Sequence, residues 1–356
     1  MLIAAKMDRR WICSDVWLNI LPFFDHAQLG LQMALLSDRF DALVDKHFDG
    51  KTELTLWKLV LICKDIGPTP KLSVRIGVNF VEFPFPDRPL PNKIRFQLLH
   101  ICYIDHSVIR FLRSNKQIWD RSGTKLDLNV PSDETESDVQ PILDVLAREI
   151  WPIFATSIRH LRLSGAVNLD NLRRLISPTI LFDVDQLNSI DCSYLYPDGI
   201  ADDGPNATAE QMLSKWLHTP TKDGQPKRLC CRDYLGPPNL EWVNNFKEAF
   251  LRATTSVSYN IQFNLFVTPM PIEQFELVNE RTNEKLILRV SKEEDYLWQL
   301  KRCPIGETEA VNWEDENSDA NLNNVRFELR SGNNGIGPLS PSAEEEKAGQ
   351  SNENYI

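Results

Sequence analysis

The sequence lacks the short patterns that mark most enzymes and metalloproteins. It contains no GxSxG, Walker, GxGxxG or HExxH motif, and its six histidines do not combine with carboxylates at the spacing of metal ligands. Its seven cysteines show no repeated short spacing, which excludes a CxxC metal knuckle and gives no sign of a disulfide framework. We therefore expect no catalytic residues, no metal site and no cofactor.

Long apolar runs and clustered positive charge are also missing. No run approaches the length that spans a membrane, and the opening residues are too short an apolar stretch for a secretory signal. The formal net charge of -11 and the pI near 5.2 disfavour a nucleic-acid binder, which needs clustered Lys and Arg. We expect a cytoplasmic or nuclear protein with no membrane and no nucleic-acid partner. Its 42% hydrophobic content over 356 residues is enough for a sizeable core.

The most informative segment, residues 12–48, predicts two short helices. Ser14 stands where an N-cap is expected, Asp15 is in the first turn, and Pro22 should kink or end the first helix. Apolar residues recur at helical spacing, at Val16, Ile20, Leu21 and Phe24 in the first helix and at Leu29, Met33, Leu36 and Phe40 in the second. So short a hairpin carries more apolar surface than it could bury against itself, which indicates a partner.

The order of these residues resembles the F-box, the adaptor-docking module of cullin-type ubiquitin ligases. Members of that family open on Leu-Pro and an acidic residue, and close on Ser or Cys, a basic residue and an aromatic. Here Ile12-Cys13 and Asp15 stand at the opening positions, and Leu36-Ser37-Asp38-Arg39-Phe40 stands at the closing motif. Cys13 replaces the usual Pro, and Asp38 stands where a basic residue is common.

The resemblance implies a non-enzymatic adaptor that docks a Skp-type protein and, through it, a cullin. It implies that the adaptor-binding residues are Ile12, Val16, Ile20, Leu21, Leu29, Leu36 and Phe40. The rest of the chain resembles the nematode type of F-box protein through a hairpin-like run from Phe275 to Thr282. On that resemblance, residues 51 to about 330 would recruit a target protein for ubiquitin transfer, which other subunits carry out.

From residue 51 the sequence alternates short β-like runs with helix-like segments at intervals of roughly thirty residues. Predicted strands lie at 54–57, 72–76, 93–98, 125–128, 158–163, 188–192, 227–231 and 256–261, and predicted helices at 107–115, 139–154, 168–176, 209–218 and 240–253. The run His160 to Ser164, followed by Leu169, Leu172 and Leu175, resembles an irregular leucine-rich-repeat turn. A doubly wound α/β sheet is the other interpretation of this rhythm.

The third region favours antiparallel strands. Residues 274–290 alternate polar and apolar around a polar turn, which predicts a β-hairpin, and residues 324–330 repeat the alternation and could add a third antiparallel strand. The tail from 331 to 356 is rich in Ser, Gly, Asn and Glu and should be disordered.

The sequence thus predicts an α+β chain with four parts. These are an F-box-like helical domain at 8–50, a leucine-rich-repeat-like βα region at 51–268, a β-hairpin region at 269–330 and a tail at 331–356. The leading function is a substrate-recognition adaptor of an SCF-type ubiquitin ligase. Two alternatives stand beside it: a solenoid interaction scaffold whose N-terminal helices cap the first repeat, and an α/β enzyme without short signatures.

Overall fold

In the computed structural model the described residues are 12–24, 28–49, 55–57, 60–63, 70–76, 78–86, 88–90, 94–202, 204, 206–232, 240–264, 273–291, 296–306, 322–332 and 335–340. They form a mixed fold of helices and strands around a large mixed sheet, which confirms the α+β class at that level. The predicted turn at 25–27 and Gly50, the predicted end of the second helix, lie outside the described residues.

The described strands are β1 (Thr55–Trp57), β2 (Val60–Cys63), β3 (Lys71–Ile76), β4 (Asn79–Phe83), β5 (Ile94–Phe96), β6 (Leu99–Ile101), β7 (Thr124–Val130), β8 (Ile158–Gly165), β9 (Ser189–Ser193), β10 (Lys227–Arg232), β11 (Tyr259–Asn264), β12 (Phe275–Asn279), β13 (Glu284–Val290), β14 (Leu297–Pro304) and β15 (Asn323–Glu328). β1 pairs with β5. The others form a 13-stranded sheet in the order β12-β13-β14-β11-β10-β9-β8-β7-β15-β6-β2-β3-β4.

The described α-helices are α1 (Ser14–Ile20), α2 (Asp38–Asp49), α3 (His106–Ser114), α4 (Lys116–Ser122), α5 (Glu136–Val145), α6 (Trp151–Phe154), α7 (Leu169–Leu175), α8 (Ile180–Asp183), α9 (Ala209–Leu217) and α10 (Glu241–Arg252). A π-helical turn, Leu146–Ile150, joins α5 to α6, so the predicted helix at 139–154 is one continuous helical stretch that starts at Glu136. Asp105 caps α3, and Thr208 with Gln211 forms a capping box on α9.

The centre of the sheet is a run of parallel strands in chain order. β7, β8, β9, β10 and β11 lie side by side, each parallel to the next. Helices connect successive strands of this run, as the thirty-residue rhythm predicted. Among the described strands of this run the order has no reversal of the kind that creates a ligand crevice in doubly wound sheets.

The two faces of this run differ in chemistry. Inward side chains such as Leu126, Leu161, Ile190, Leu229 and Ile261 are buried and pack in one core with the helices. The outward side chains form a surface that we call the polar face: Lys125, Asp127 and Asn129 of β7, His160, Arg162 and Ser164 of β8, Ser189 and Asp191 of β9, Arg228 and Cys230 of β10, and Asn260 and Gln262 of β11. The alternation follows from the two-residue repeat of a strand.

The C-terminal region confirms one prediction and corrects another. β12 and β13 form the predicted antiparallel hairpin, with the chain turning between Asn279 and Glu284. The third antiparallel strand is β14, however, and not the predicted run at 324–330. That run forms β15, which pairs in parallel with β6 on one side and β7 on the other. Alternation identified a strand there but carried no information about its neighbours.

Part of the predicted tail is also attached to the sheet. Ile336 forms a parallel bridge with Ile104, and the His106 N–H donates to the Pro338 carbonyl at 2.9 Å. The expectation of disorder from residue 331 onward is therefore wrong for residues 335–340. Residues 341–356 lie outside the described part of the chain.

Two buried asparagines tie distant parts of the chain together. Asn323, at the start of β15, accepts a hydrogen bond from the Phe96 N–H at 2.9 Å and donates to the Ile118 carbonyl at 3.0 Å. Asn115 accepts from the Leu90 N–H at 2.7 Å and donates to the Phe111 carbonyl at 2.8 Å. Both are fully buried, so their hydrogen bonds replace water. Asn323 fixes the start of β15 against β5 and α4, and Asn115 holds Leu90 against the end of α3.

A buried lysine gives the fold a specific pH dependence. Lys227 lies under α9, where its Nζ donates to the Trp216 carbonyl and lies 4.8 Å from the centre of the Trp216 ring. Burial lowers the pKa of Lys227 from 10.5 to about 8. The unfolded chain therefore binds more protons than the folded chain between these two values. The Lys227 contribution to the free energy of unfolding should rise as pH increases from about 8 towards 10.5.

We expect Lys227→Met to remove this dependence. Urea unfolding of wild type and variant across that pH window should give a wild-type free energy that rises relative to the variant. Other titrating groups, such as Tyr259, whose pKa burial raises, are common to both proteins and cancel in the difference. A pH-independent difference would contradict the prediction.

Candidate adaptor interface

The N-terminal helices have a small core of their own. Buried Leu21, Leu29, Ala34, Leu43, Val44 and Phe48 form a cluster separate from the main core. Trp17 and Phe40 pack against this cluster. Their two rings contact each other edge to face, with ring centres 4.9 Å apart. Aromatic pairs of this geometry add stability beyond the area that they bury. The segment therefore has an interior of its own, which a helical interaction module needs.

Pro22 and Ser37 break the helices. α1 ends at Ile20, and Pro22 lies in a 3-10 turn, Leu21–Phe23, as its missing N–H and fixed φ predict. At the other end of α1 the predicted N-cap, Ser14, is wrong: the N-cap is Cys13, whose side chain makes no capping hydrogen bond. The predicted single second helix is wrong, because a π-turn (Leu29–Met33) and a 3-10 turn (Ala34–Leu36) precede α2, and Ser37 between the 3-10 turn and α2 is extended. Leu36 and Phe40 therefore do not lie on one helical face.

The structure divides the seven predicted adaptor-binding residues into three groups. Leu21 and Leu29 have no accessible surface and fill the small core, while Ile20 and Phe40 are half-buried. A partner could not reach Leu21 or Leu29 in this conformation. Ile12, Val16 and Leu36 are exposed, by 43%, 45% and 64%. These three are the members of the set that are available to a partner.

Phe23, which the periodicity did not single out, is 87% exposed in the same segment. It follows Pro22, and the 3-10 turn there points it away from the core that receives Leu21. The Pro itself was the available signal, since it predicts that helical periodicity stops before Phe23. With Ile12, Val16 and Leu36, Phe23 brings the exposed apolar side chains of the segment to four.

Charged contacts link this segment to its neighbours. The Arg39 guanidinium donates to the Ile12 carbonyl at 2.6 Å, which holds the start of the segment against α2. Asp38, at the position where the F-box family commonly has a basic residue, pairs with Arg88. Burial raises the pKa of nearby Asp41, an effect that Arg88 opposes and Asp38 reinforces. Leu31 packs into the main core, so the helices also touch the rest of the protein.

A cleft of about 380 Å³ lies at the amino ends of β8, β9 and β10. Arg159, Asp185, Asn188 and Lys222 are among the residues that line it, and the Lys222 ammonium pairs with the Asp185 carboxylate at 2.6 Å. Ligand sites of parallel α/β enzymes form at the carboxyl ends of the strands, so this cleft lies at the opposite edge of the sheet from such a site. Among the described residues, no group of three or more His, Cys, Asp or Glu could hold a metal ion.

The polar face is the second extended surface. Its residues were visible in the sequence as polar positions two apart within strands, such as Lys125 and Asp127, but nothing in the sequence showed which strands adjoin. The Cys230-Cys231 pair divides between the faces as predicted, with Cys231 buried inward and Cys230 half-exposed. Burial raises the pKa of the Cys231 thiol well above its ordinary value, so the thiol stays protonated.

Comparison with family models, with curated proteins and with solved structures yields no match for this chain. Within the described part of the chain, no helix has both the length and the apolar content to cross a membrane.

Proposed function

We propose that this protein is a substrate-recognition subunit of an SCF-type ubiquitin ligase. Its N-terminal helices dock a Skp-type adaptor, which assembles with a cullin, and its sheet recruits a target protein. The observation that carries the proposal is the N-terminal segment, which has its own core yet leaves Ile12, Val16, Phe23 and Leu36 at the surface. Apolar anchors of this kind supply most of the energy of helical docking interfaces.

The sheet supports the receptor half of the proposal. Consecutive parallel strands in chain order, with apolar side chains toward the helices and polar ones away from them, are typical of a leucine-rich-repeat-like solenoid. Such a sheet presents a broad surface to a protein partner. Tethering that partner near the conjugating enzyme raises the effective concentration of its lysines.

Co-expression of the full chain with a Skp-type adaptor tests the proposal. We expect the two to co-purify as a stoichiometric complex through size-exclusion chromatography, because the exposed apolar side chains are covered only in the complex. A monomeric, soluble chain that leaves the adaptor unbound would overturn the proposal.

The scaffold alternative has an observation in its favour, since Leu31 in the main core and the Asp38–Arg88 pair attach the helices to the rest of the chain. In that model the helices are a cap, and deletion of residues 1–48 should unfold the remainder. A tethered docking module predicts that the remainder keeps its cooperative thermal transition. Circular dichroism of the truncated chain separates the two.

A further inference from the structure

A row of charged side chains crosses the polar face and continues beyond it onto β15 and β6. The sheet register places His100, Arg326, Asp127, Arg162 and Asp191 side by side on β6, β15, β7, β8 and β9. Neighbouring strands lie about 4.8 Å apart, so the two arginines flank Asp127 at a backbone separation of roughly 10 Å. β15 supplies Arg326, so this row exists only because the C-terminal strand is inserted between β6 and β7.

The acids and the bases in the row lie at different depths. The side chains of Asp127 and Asp191 are only 6% and 5% exposed, whereas those of Arg326 and Arg162 are 33% and 29% exposed. The carboxylates therefore lie at the sheet surface and hold the guanidinium groups above them. A partner that approaches Arg162 and Arg326 meets their guanidinium groups before the two aspartates. Glu328, two residues along β15 from Arg326, is a partly exposed acid beside the row and pairs with His100 at 3.2 Å.

Most of the guanidinium donors are unused within the described part of the chain. Arg326 donates there only through Nε, to Asp127 Oδ2 at 2.9 Å. The contacts of Arg162 are longer, 3.8 Å from Nη1 to Asp127 Oδ2 and 3.5 Å from Nε to Asp191 Oδ2, and its guanidinium makes no hydrogen bond with any other described residue. Charge-assisted hydrogen bonds are normally about 2.8 Å long. Asp127 and Asp191 thus orient the two guanidinium groups, whose Nη atoms donate no hydrogen bond to a described residue.

The row also contains an unsatisfied acceptor. Asp127 Oδ1 is buried and has no hydrogen-bond partner among the described residues, and Asn260 Oδ1, farther along the polar face, is in the same condition. Buried polar atoms are normally hydrogen-bonded, so the exception marks Asp127 as a residue that contacts both arginines through Oδ2 alone.

We propose that this row binds a carboxylate-rich segment of a partner protein. Asp and Glu side chains of that segment accept hydrogen bonds from the Nη groups of Arg162 and Arg326, above the buried Asp127 and Asp191 carboxylates. Lys125 and Arg228, in the adjoining row of the polar face, extend the positive charge along the strands. The polar face and β15 together carry four cations, Lys125, Arg162, Arg228 and Arg326, and three acids, of which Asp127 and Asp191 are buried and Glu328 is partly exposed. The accessible charge is therefore mainly positive, which favours an acidic partner. The inference rests on the proposed function only in making that partner a target for ubiquitin transfer.

Fluorescence anisotropy with the full chain and a fluorescein-labelled Glu-rich Gly-Ser peptide tests the site. We expect saturable binding that weakens with salt, and a loss of about tenfold in affinity in Arg162→Gln and again in Arg326→Gln, as expected for losing a charge-assisted hydrogen bond. Arg162→Lys keeps the charge but not the fork and should also bind more weakly. Thermal unfolding of each variant shows that the fold is retained.

Arg252→Gln is the matched control. It makes the same change of charge on α10, where Arg252 is 81% exposed and pairs only with Glu248 among the described residues. We expect its affinity to equal that of wild type. Equal losses in Arg252→Gln and Arg162→Gln, equal binding of a peptide with Gln in place of Glu, or binding confined to a phosphoserine version would each overturn the proposal.

The outcome is separable from that of the proposed function. Arg162→Gln should leave adaptor co-purification unchanged, because Arg162 lies on the sheet and not on the N-terminal helices. Failure of peptide binding with the adaptor complex intact overturns this inference alone. Peptide binding without an adaptor complex overturns the proposed function alone.

Discussion

Leu36→Asp is expected to abolish co-purification with a Skp-type adaptor while leaving the protein folded. Leu36 is 64% exposed beside the break at Ser37, so a carboxylate there remains in water in the free protein. In the complex the same carboxylate would be buried in an apolar interface. Replacing a central anchor of an interface costs about 2 kcal/mol or more of binding free energy, which lowers the affinity roughly thirtyfold. A charge buried in the interface adds to that loss.

Leu251→Asp is the control for this experiment. Leu251 is 53% exposed on α10, a part of the surface outside the N-terminal helices. The substitution makes the same chemical change at similar exposure, so adaptor binding should be unchanged. Binding of the Leu36→Asp variant at wild-type affinity would remove Leu36 from the interface and with it the main support for the docking proposal.

A substitution at Leu21 would test the stability of the N-terminal helices and not adaptor binding. The sequence placed Leu21 beside Leu36 as an adaptor contact, but Leu21 is fully buried in the helical core. Loss of binding in a Leu21→Asp variant would follow from unfolding of the helices and would say nothing about the interface. Leu36 and Val16 are therefore the informative positions for testing adaptor binding.

Arg302→Met is expected to lower the free energy of unfolding by about 3–5 kcal/mol, a large effect for a single substitution. Arg302 and Glu284 form an ion pair at 2.6 Å whose side chains are 1% and 0% exposed. The Glu284 carboxylate also accepts from Ser256 and from the Val257 N–H, both at 2.8 Å, and Arg302 donates to the Thr255 carbonyl. Removing the guanidinium leaves a buried carboxylate without its counter-charge. Urea unfolding at neutral pH measures the loss.

A double variant and a surface variant check the cause. Glu284→Gln combined with Arg302→Met removes both charges while Gln still accepts from Val257, so we expect much of the stability to return. Arg252→Met removes an arginine from an exposed pair with Glu248 and should cost less than about 1 kcal/mol. A double variant as unstable as Arg302→Met would show that the loss comes from packing, for example over the Phe250 ring, and not from the uncompensated charge.

The function of Arg302 and Glu284 is structural. They join β13 and β14 to the chain at 255–257 on the helix-covered side of the sheet, where water is excluded. Because they lie on the side of the sheet opposite the polar face, loss of stability and loss of peptide binding are independent measurements. Variants at the ion pair should therefore weaken binding only in proportion to the unfolded fraction.

Local pattern determined many of the elements and their faces, although β2, β4, β6, β14 and α4 were not predicted. Strands at 124–130, 158–165, 189–193 and 227–232 and helices such as α3, α7, α9 and α10 follow from alternation, helical spacing and caps, because those signals depend on residues close in sequence. The hairpin of β12 and β13 was predictable for the same reason, since its strands are joined by a short polar turn. The helical spacing of apolar residues in 12–48 likewise predicted helices there, but not that they enclose a core of their own.

The tertiary structure decided which strands are neighbours and which side chains are buried. Nothing near Asn323 indicates that it bonds to Phe96 and Ile118, or that β15 enters between β6 and β7, because those contacts span some two hundred residues. The row of Arg326, Asp127 and Arg162 depends on that insertion and was invisible in the sequence. So was the division of the seven N-terminal residues into buried and exposed, since helical spacing gives a face but not what covers it. Periodicity is a local property, whereas strand order and burial are set by long-range packing.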